Sequence, residues 1–376
     1  MTPQRLLFLM SDTGGGHRAA ARAIQAALEE TTPGGYTFAS VDVWKEYFPP
    51  PFNRMPTTYT AWVNASPRSY GAQYWLNDRL FRLKPISAAY CAFMSGRMRR
   101  MYTDYPADVV VCVHSVFVRP AVQALRRMNA AIPFVTVITD WALPTVLWYD
   151  PRPLRCCVPT DRAFARGKAL GIPEAQMIIT GAPIHPKFTK ITQTKAEARA
   201  ALGWSAKARI VLMVAGGDGM GPLVETAQAV DALDTPCELV IVAGRNAEMK
   251  TALEGIQWRH KAHLYGFVET MPAFMRAADV IITKAGPATI TEAAAMGLPL
   301  ILNGAIPHQE TPNIDYVIER GAGVYAPGAE RAAAAVAELF SDDGSRLKEL
   351  SANLVRIAQP DAVWRIAEVI QAAARP

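Results

Sequence analysis

The chain opens with LLFLM at residues 6–10 and SDTGGGH at residues 11–17, followed by an alanine-rich stretch to about residue 30. A short apolar run, a glycine turn and a helical stretch form the opening of a βα unit. Further apolar runs follow at residues 38–43, 108–113 and 134–139. Continuous apolar runs are typical of parallel strands that helices cover on both faces. The first part of the chain, residues 1–182, is therefore predicted to be a doubly wound α/β domain.

The same pattern starts again after a proline-rich stretch at residues 181–186 (GAPIHP), which is typical of a linker. An apolar run at residues 210–215 leads into the glycine turn GGDGMGP at residues 216–222. Four more strands are predicted, at residues 239–243, 263–268, 279–283 and 298–302. A second doubly wound α/β domain is therefore predicted over residues 190–342. The remaining residues, 343–376, read as helices, and we expect them to pack back on the first domain because no strand follows them.

Composition excludes several classes of protein. A chain of 376 residues that is 51% hydrophobic and 19% charged is neither disordered nor fibrous, and its length favours two domains. Its five cysteines show no metal-ligand spacing, and their odd number favours a reducing compartment. No apolar run is long enough for a membrane span or a signal peptide core. We therefore expect a soluble or peripheral protein on the cytoplasmic side of a membrane.

The positive charge is concentrated in one segment, residues 44–104. This segment has nine basic and three acidic residues, a balance of +6 that equals the net charge of the whole chain, and it holds 13 of the 33 aromatic residues. Such local interleaving does not favour binding to nucleic acid. Two interpretations stay open: contact with an anionic membrane surface, or a solvated helical insertion whose aromatic side chains pack inward.

The cleft between two such sheets is the expected ligand site. Three motifs contain candidate catalytic or binding residues. His17 follows three glycines at a helix N-terminus, where the helix dipole disfavours imidazolium and leaves a neutral base; the alternative is a histidine that caps its helix. Residues 283–292 (TKAGPATITE) join a strand to a helix whose free N–H groups suit a diphosphate. Glu292, one turn on, suits ribose hydroxyls, or is simply a first-turn acid. Gln309 and Glu310 suit sugar hydroxyls, or lie in a solvated loop. The glycine turn at residues 216–222 lacks the Gly-Lys-Ser ending of a P-loop, which argues against ATPase or kinase chemistry.

Taken together, the motifs resemble those of one enzyme family. The matching stretches are residues 11–18, 216–222, 244–246, 266–268, 284–292 and 309–310. In this order, from about residue 5 to about residue 330, they resemble monogalactosyldiacylglycerol synthases. These enzymes and their diacylglycerol glucosyltransferase relatives belong to the GT-B superfamily. The resemblance implies a GT-B fold of two Rossmann-like domains.

The resemblance also implies an activity and a set of residues. The activity is metal-independent, inverting transfer of a hexose from a UDP-sugar to the 3-hydroxyl of diacylglycerol, with no cofactor. His17 would deprotonate the acceptor, and Asp140 would orient either the acceptor or His17. The residues implied to bind the donor are Gly16, Gly217, Gly219, Arg245, Phe267, Val268, Lys284, Gly286, Pro287, Ala288, Thr289, Glu292, Gln309 and Glu310. Arg97, Arg99 and Arg100 would contact anionic membrane lipids.

Two departures from the family pattern leave parts of this interpretation open. After the Thr-Asp pair the family often has histidines, whereas residues 141–150 of this chain (WALPTVLWYD) are more apolar. His308 stands where the family has glycine before Gln-Glu. Galactose is favoured over glucose as the hexose. Transfer to another lipid-linked or hydrophobic acceptor, and a UDP-sugar-binding regulator without catalysis, are the alternatives. The oligomeric state is not indicated by the sequence.

Overall fold

A computed structural model describes residues 2–13, 15–216, 222–341 and 343–374. The chain divides into two compact units. Unit 1 comprises Met1–Pro186, Pro307–Gln309 and Pro360–Pro376, and unit 2 comprises Lys187–Ile306 and Glu310–Gln359. The first boundary, after Pro186, falls at the end of the proline-rich stretch at residues 181–186.

The described part of unit 1 contains one sheet of six parallel strands. The strands are β1 (Gln4–Met10), β2 (Tyr36–Asp42), β3 (Val109–Cys112), β4 (Phe134–Val137), β5 (Arg155–Val158) and β6 (Met177–Ile179). They lie in the order β2-β1-β3-β4-β5-β6. β3 and β4 are buried along their whole length, as continuous apolar runs predict. β5 and β6 were not predicted: β6 has only three residues, and β5 begins with the charged Arg155 and so lacks the continuous apolar run of β3 and β4.

Helices cover both faces of this sheet. They are α1 (Gly16–Thr31), α2 (Val43–Tyr47), α3 (Met55–Ala65), α4 (Pro67–Leu80), α5 (Lys84–Asp104), α6 (Ser115–Arg127) and α7 (Asp161–Ala169). The basic, aromatic segment therefore folds as a helical insertion, α2 to α5, between β2 and β3. Its longest helix, α5, buries Met94, Met98 and Met101 in the core of unit 1, because these residues recur every three or four positions and share one helix face.

The described part of unit 2 repeats the architecture with a second sheet of six parallel strands. The strands are β7 (Ile210–Val214), β8 (Glu238–Val242), β9 (Ala262–Tyr265), β10 (Val280–Lys284), β11 (Leu300–Gly304) and β12 (Gly323–Tyr325), in the order β12-β11-β10-β7-β8-β9. The helices are α8 (Lys195–Leu202), α9 (Leu223–Asp231), α10 (Ala247–Glu254), α11 (Met271–Ala277), α12 (Pro287–Met296), α13 (Thr311–Glu319), α14 (Ala329–Ser341) and α15 (Ser345–Ile357). Two doubly wound α/β units are thus present, as the sequence predicts.

Of the helices predicted after residue 343, only the last, α16 (Ala362–Ala374), belongs to unit 1. It packs on α1 and buries Val363, Ile366 and Ile370 completely, each contributing about 1.5–3 kcal/mol of burial free energy. α15 was expected to cross back as well, and that expectation is wrong. α15 packs on α12, and its Leu350 is fully buried in the core of unit 2. The return to unit 1 therefore begins at Pro360 rather than at residue 343.

Strand order identifies one position in each sheet where ligands bind in such folds. In unit 1, β1 lies between β2 and β3, so the chain leaves β1 in one direction and later returns on the other side. In unit 2, β7 lies between β8 and β10 in the same way. Ligands of doubly wound sheets bind outside the carboxyl ends of the strands at such switch points. Residues 11–17 follow β1, and Lys284 ends β10 next to β7.

Candidate active site

His17 lies at the switch point of unit 1, in the first turn of α1. The preceding N-cap residue, Gly15, has a φ of 73°, a left-handed conformation that glycine adopts without strain. The His17 Nδ1 atom is 2.7 Å from the carbonyl oxygen of Val113 and 3.0 Å from Oγ1 of Thr139. Since a carbonyl oxygen only accepts hydrogen bonds, Nδ1 carries the proton and Nε2 keeps its lone pair. The ring is therefore held in the tautomer that a general base at Nε2 needs.

The protonation state of His17 also suits a base. Burial lowers the pKa of His17 below its ordinary value, and the carboxylate of Asp140 opposes that effect by raising the pKa. The N-terminus of α1 disfavours a positive charge as well. The imidazole is therefore neutral at pH 7.

Asp140 is held by two donors that the sequence did not single out. Its side chain is buried, and its Oδ2 atom accepts hydrogen bonds from Nε1 of Trp148 at 2.7 Å and from the hydroxyl of Tyr74 at 3.2 Å. Tyr74 is on α4 of the helical insertion, and Trp148 lies in a short 3-10 turn, Val146–Trp148. The insertion thus contributes a side chain to the site as well as an exposed surface. Asp140 acts on His17 electrostatically, by raising its pKa, and the role of Asp140 stays a prediction.

A second histidine, His114, was missed altogether. It follows β3, its ring centroid is 4.2 Å from that of His17, and its Nε2 is 3.2 Å from Oγ1 of Thr13. Burial, followed by the nearby His17, lowers the pKa of His114 well below its ordinary value. His114 therefore stays neutral beside His17. A polar residue just after a buried strand was the available signal, but nothing in the sequence showed that β3 pairs with β1.

The switch point of unit 2 has a different composition. α12 begins at Pro287 with Gly286 as its N-cap, so Ala288 and Thr289 lie in its first turn with backbone N–H groups that no helical carbonyl satisfies. Lys284 forms an ion pair with Oε1 of Glu310. Its ammonium lies beside the helix N-terminus, 3.1 Å from the position that a Cβ atom on Gly286 would occupy. Free N–H groups and an ammonium together are suited to an anion.

Glu310 is not positioned as a solvated loop residue. Only 3% of its surface is exposed. Its Oε2 atom accepts a hydrogen bond from the backbone N–H of Ile306 at 2.9 Å, while its Oε1 atom pairs with Lys284. Among the residues described, Gln309 has a buried Oε1 atom with no hydrogen-bond partner, and His308 is exposed with a φ of 62°.

Glu292 lies one turn into α12. Burial raises the pKa of its carboxyl group to about 8, and the positive charge of Lys187 opposes this effect. Glu292 is therefore largely protonated at neutral pH in the ligand-free protein. As a protonated acid or as a carboxylate, it offers an oxygen acceptor to a hydroxyl group.

Phe267 and Arg245 form an exposed stacked pair in unit 2. The guanidinium carbon of Arg245 lies 4.2 Å from the Phe267 ring centroid, and 52% of Phe267 is exposed. Both Phe267 and the partly buried Val268 follow β9, which ends at Tyr265 rather than at residue 268 as predicted. An exposed ring of this kind offers a stacking surface to a planar base.

The positions of the remaining candidate residues, the glycines, say little about their roles. Gly16 is the exposed first residue of α1, with open space where a Cβ atom would lie. Gly217 and Gly219 lie outside the residues that the structure describes. Within the described ranges, no group of three or more His, Cys, Asp and Glu residues is arranged to hold a metal ion. The donor-binding role of each residue stays a prediction.

The helical insertion of unit 1 exposes several large apolar side chains. Seven large apolar residues between positions 44 and 104 are exposed: Phe52, Met55, Trp62, Trp75, Leu76, Leu83 and Phe93. Arg99 and Arg100 are exposed on α5, whereas Arg97 is partly buried with its guanidinium stacked 4.4 Å from the Phe48 ring centroid. Other aromatic side chains, including Trp44, do pack inward. Of the helices described, none has the length and apolar character needed to cross a bilayer.

Solved structures share this fold. MurG of Acinetobacter baumannii is 16% identical, with a TM-score of 0.60 over 98% of this chain and 100% of its own. The S. aureus MnaA–UDP co-structure is 14% identical, with a TM-score of 0.64 over 98% of this chain and 96% of its own. The two parallel α/β units and these similarities define a GT-B fold.

Sequence similarity identifies the family. The family model for monogalactosyldiacylglycerol (MGDG) synthase matches residues 17–184, and that for the glycosyltransferase family 28 C-terminal domain matches residues 210–338. Monogalactosyldiacylglycerol synthase of Spinacia oleracea is 36% identical over 97% of this chain and 72% of its own length. Monogalactosyldiacylglycerol synthase 1 of Arabidopsis thaliana is 34% identical over 97% and 70%, respectively. The chain belongs to the monogalactosyldiacylglycerol synthase family and is a glycosyltransferase, as the motifs predict.

Proposed function

We propose that the protein transfers a hexose, galactose in preference to glucose, from a UDP-sugar to the 3-hydroxyl of diacylglycerol. The reaction inverts the anomeric carbon, needs no metal ion and takes place at the cytoplasmic surface of a membrane. Membership of the family supports the hexose and the acceptor, because the relatives are named for the product monogalactosyldiacylglycerol.

The arrangement around His17 is the observation that carries the proposal. Its Nδ1–H donates to the Val113 carbonyl, so the lone pair on Nε2 is free to accept a proton. Nε2 takes the proton of the acceptor hydroxyl while the hydroxyl oxygen attacks the anomeric carbon. The bond from that carbon to the diphosphate breaks, and UDP leaves with the electron pair. A single displacement of this kind inverts the configuration, and the carboxylate of Asp140 stabilises the imidazolium formed.

The donor is proposed to bind in unit 2. The N–H groups in the first turn of α12 and the ammonium of Lys284 supply the positive potential that a diphosphate leaving group needs. These groups take the place of the metal ion that other enzymes use for the same charge. Phe267 and Val268 are proposed to flank the uracil. Glu292 is proposed to accept a hydrogen bond from a ribose hydroxyl, and Gln309 to contact the hexose.

Product analysis tests the proposal. The protein is incubated with diacylglycerol liposomes and either UDP-galactose or UDP-glucose, in the presence of EDTA, and the lipid product is identified with its anomeric configuration. We expect a β-linked monohexosyldiacylglycerol, formed faster from UDP-galactose. Turnover only with another lipid or hydrophobic acceptor would support the alternative acceptor. Binding of UDP-hexose without any transfer or hydrolysis would support a regulator.

Membrane contact is proposed to occur through the helical insertion, where exposed apolar side chains lie among basic ones. Replacing Arg97, Arg99 and Arg100 with glutamine should weaken binding to anionic liposomes by about a hundredfold, since each of the three basic residues near the surface contributes about 1 kcal/mol. The loss should be larger at low salt, and UDP affinity should not change. Co-sedimentation with liposomes of varied anionic content provides the measurement.

A matched control removes the same charge from unit 2. Lys207, Arg331 and Lys348 are exposed there, and their triple glutamine variant has the same net charge as the first. This control should bind liposomes like the wild-type protein. If both triple variants bind equally well, the insertion is an ordinary solvated face.

A further inference from the structure

The ion pair between Lys284 and Glu310 affects how tightly unit 2 would bind its proposed nucleotide. Both carboxylate oxygens of Glu310 have partners within unit 2, Lys284 and the N–H of Ile306, and the residue is 3% exposed. A carboxylate with this environment is poorly placed to hydrogen-bond a hexose, which is the role that the family resemblance implies for it. Its principal neighbour is instead the ammonium beside the N-terminus of α12.

We propose that Glu310 is a positioning residue that competes with the nucleotide for the Lys284 ammonium and thereby promotes release of the UDP product. The inference rests on the proposed use of a UDP-sugar. Without ligand, Glu310 neutralises Lys284 and keeps its ammonium beside Gly286. A bound diphosphate draws on the same ammonium, and Glu310 reclaims the ammonium when the nucleotide leaves.

The charges of donor and product explain why this competition acts mainly on the product. The diphosphate of a UDP-hexose is a diester with two negative charges. UDP carries in addition a terminal phosphate group whose second ionisation occurs near pH 6, so its charge approaches three at pH 7.5. An unopposed Lys284 would therefore hold UDP more tightly than it holds the donor. Glu310 reduces the affinity for both nucleotides and reduces it more for UDP.

The test is UDP binding and turnover by the full chain with Glu310→Gln, which removes the charge and keeps the size. We expect UDP affinity by titration calorimetry to rise about five- to tenfold, because the ammonium loses its competing partner. The KM for UDP-galactose should fall by a smaller factor, kcat should fall, and inhibition by UDP should become stronger. Uridine, which has no phosphate, should bind equally to both proteins. A role confined to shaping the 306–310 turn would leave the difference between UDP and uridine unchanged.

Asp279→Asn is the matched control. Asp279 is a largely buried carboxylate that pairs with Arg199 and Lys195, and it immediately precedes β10, whereas Lys284 ends that strand. The control makes the same charge change in unit 2 away from the Lys284 ammonium. It should leave UDP affinity within about twofold, because screening weakens charge effects over such a distance. An equal gain in UDP affinity for Asp279→Asn would overturn the proposal.

A second comparison tests the proposal if Glu310→Gln folds poorly, which thermal unfolding would reveal. In Lys284→Met the carboxylate of Glu310 stays unpaired near the diphosphate, whereas the double variant Lys284→Met/Glu310→Gln has no charge at either position. We expect the double variant to bind UDP more tightly than Lys284→Met but more weakly than Glu310→Gln. Failure of the wild-type protein to bind UDP would overturn the proposed function itself. Binding by the wild type without a gain in either charge-removing comparison would overturn this inference alone.

Discussion

The His17 site of unit 1 and the N-terminus of α12 in unit 2 both lie at the switch points of their sheets, after β1 and after β10, but they differ in chemistry. The hydrogen bonds that hold His17 and Asp140 come from or go to neutral groups: Nδ1–H of His17 donates to a carbonyl, and Asp140 accepts from Trp148 and Tyr74. The nearby ion pair of Asp12 with Arg18 holds neither of them. Beside α12 the polar groups are a charged pair, Lys284 and Glu310.

The difference follows from what each site is proposed to bind. A base must have its lone pair available before the acceptor arrives, so its protonation state and tautomer are set in advance by burial and hydrogen bonding. A site for a polyanion needs positive charge, and a largely buried cation without a counter-charge is costly, so the protein supplies its own carboxylate. One site is ready as it stands, whereas in the other the charge is balanced until a nucleotide displaces the internal partner.

The largest expected effect is that of His17→Ala on turnover. Loss of the base should lower kcat by about a thousandfold, within the usual range for general base catalysis, while UDP affinity stays within twofold. Initial-rate measurements and calorimetry on the same preparation separate the two quantities. His260→Ala is the control, since His260 lies in unit 2 against the carbonyl of Leu233. Retained turnover in His17→Ala would show that His17 is not the base and would contradict the difference drawn between the two sites.

The next effect is that of Asp140→Asn, which should lower kcat about a hundredfold because the imidazolium loses its stabilising carboxylate. The pH dependence of activity shows in which direction Asp140 shifts the pKa of His17. Activity falls as the pH drops through the pKa of His17, which burial places below its ordinary value. Since Asp140 raises that pKa, its neutralisation should move the acidic limb of kcat/KM to still lower pH.

Trp148→Phe refines this prediction, because it removes one donor to Asp140 and keeps the carboxylate. The loss in kcat should be about tenfold, the net cost of one hydrogen bond to a charged group, with a smaller change in the acidic limb. A shift of that limb to higher pH in Asp140→Asn would contradict the assigned role of Asp140.

The smallest effect concerns stability in unit 2. Burial raises the pKa of Glu292 to about 8. The native protein then keeps a proton that the unfolded chain has already lost, so stability declines as the pH rises toward 8 and stays reduced above it. Glu292→Gln should remove this loss and stabilise the protein at pH 9 by about 1–2 kcal/mol, a value discounted because Glu292 is partly exposed.

Thermal or urea unfolding at pH 5 and pH 9 measures the difference between Glu292→Gln and the wild-type protein. The exposed Glu248→Gln serves as the control and should show the same difference at both pH values. An effect of Glu292→Gln that does not grow with pH would mean that Glu292 is ionised throughout this range.

Much of the fold was predictable because periodicity and turn chemistry are local properties. The runs at residues 6–10 and 210–215 and the glycine turns after them were sufficient to predict two doubly wound units, and strands as short as β6 left no pattern to detect. The end of α15 shows the limit of local reasoning. Nothing in the sequence of two consecutive amphipathic helices states that Leu350 packs in one unit and Ile366 in the other.

For the site, the sequence was enough to identify the family, which the comparisons confirm, whereas the roles of motif residues such as His17 and Lys284 stay predictions. Strand order supplied what the sequence could not: β3 lies beside β1, and this pairing alone brings Val113 and His114 to the His17 ring. In the same way, the pairing of β10 with β11 brings Glu310 to Lys284 and gives it an ion-pair role that a polar loop did not suggest. Local composition specifies which groups are present. Long-range strand pairing, driven by burial of the sheet, specifies which of them meet.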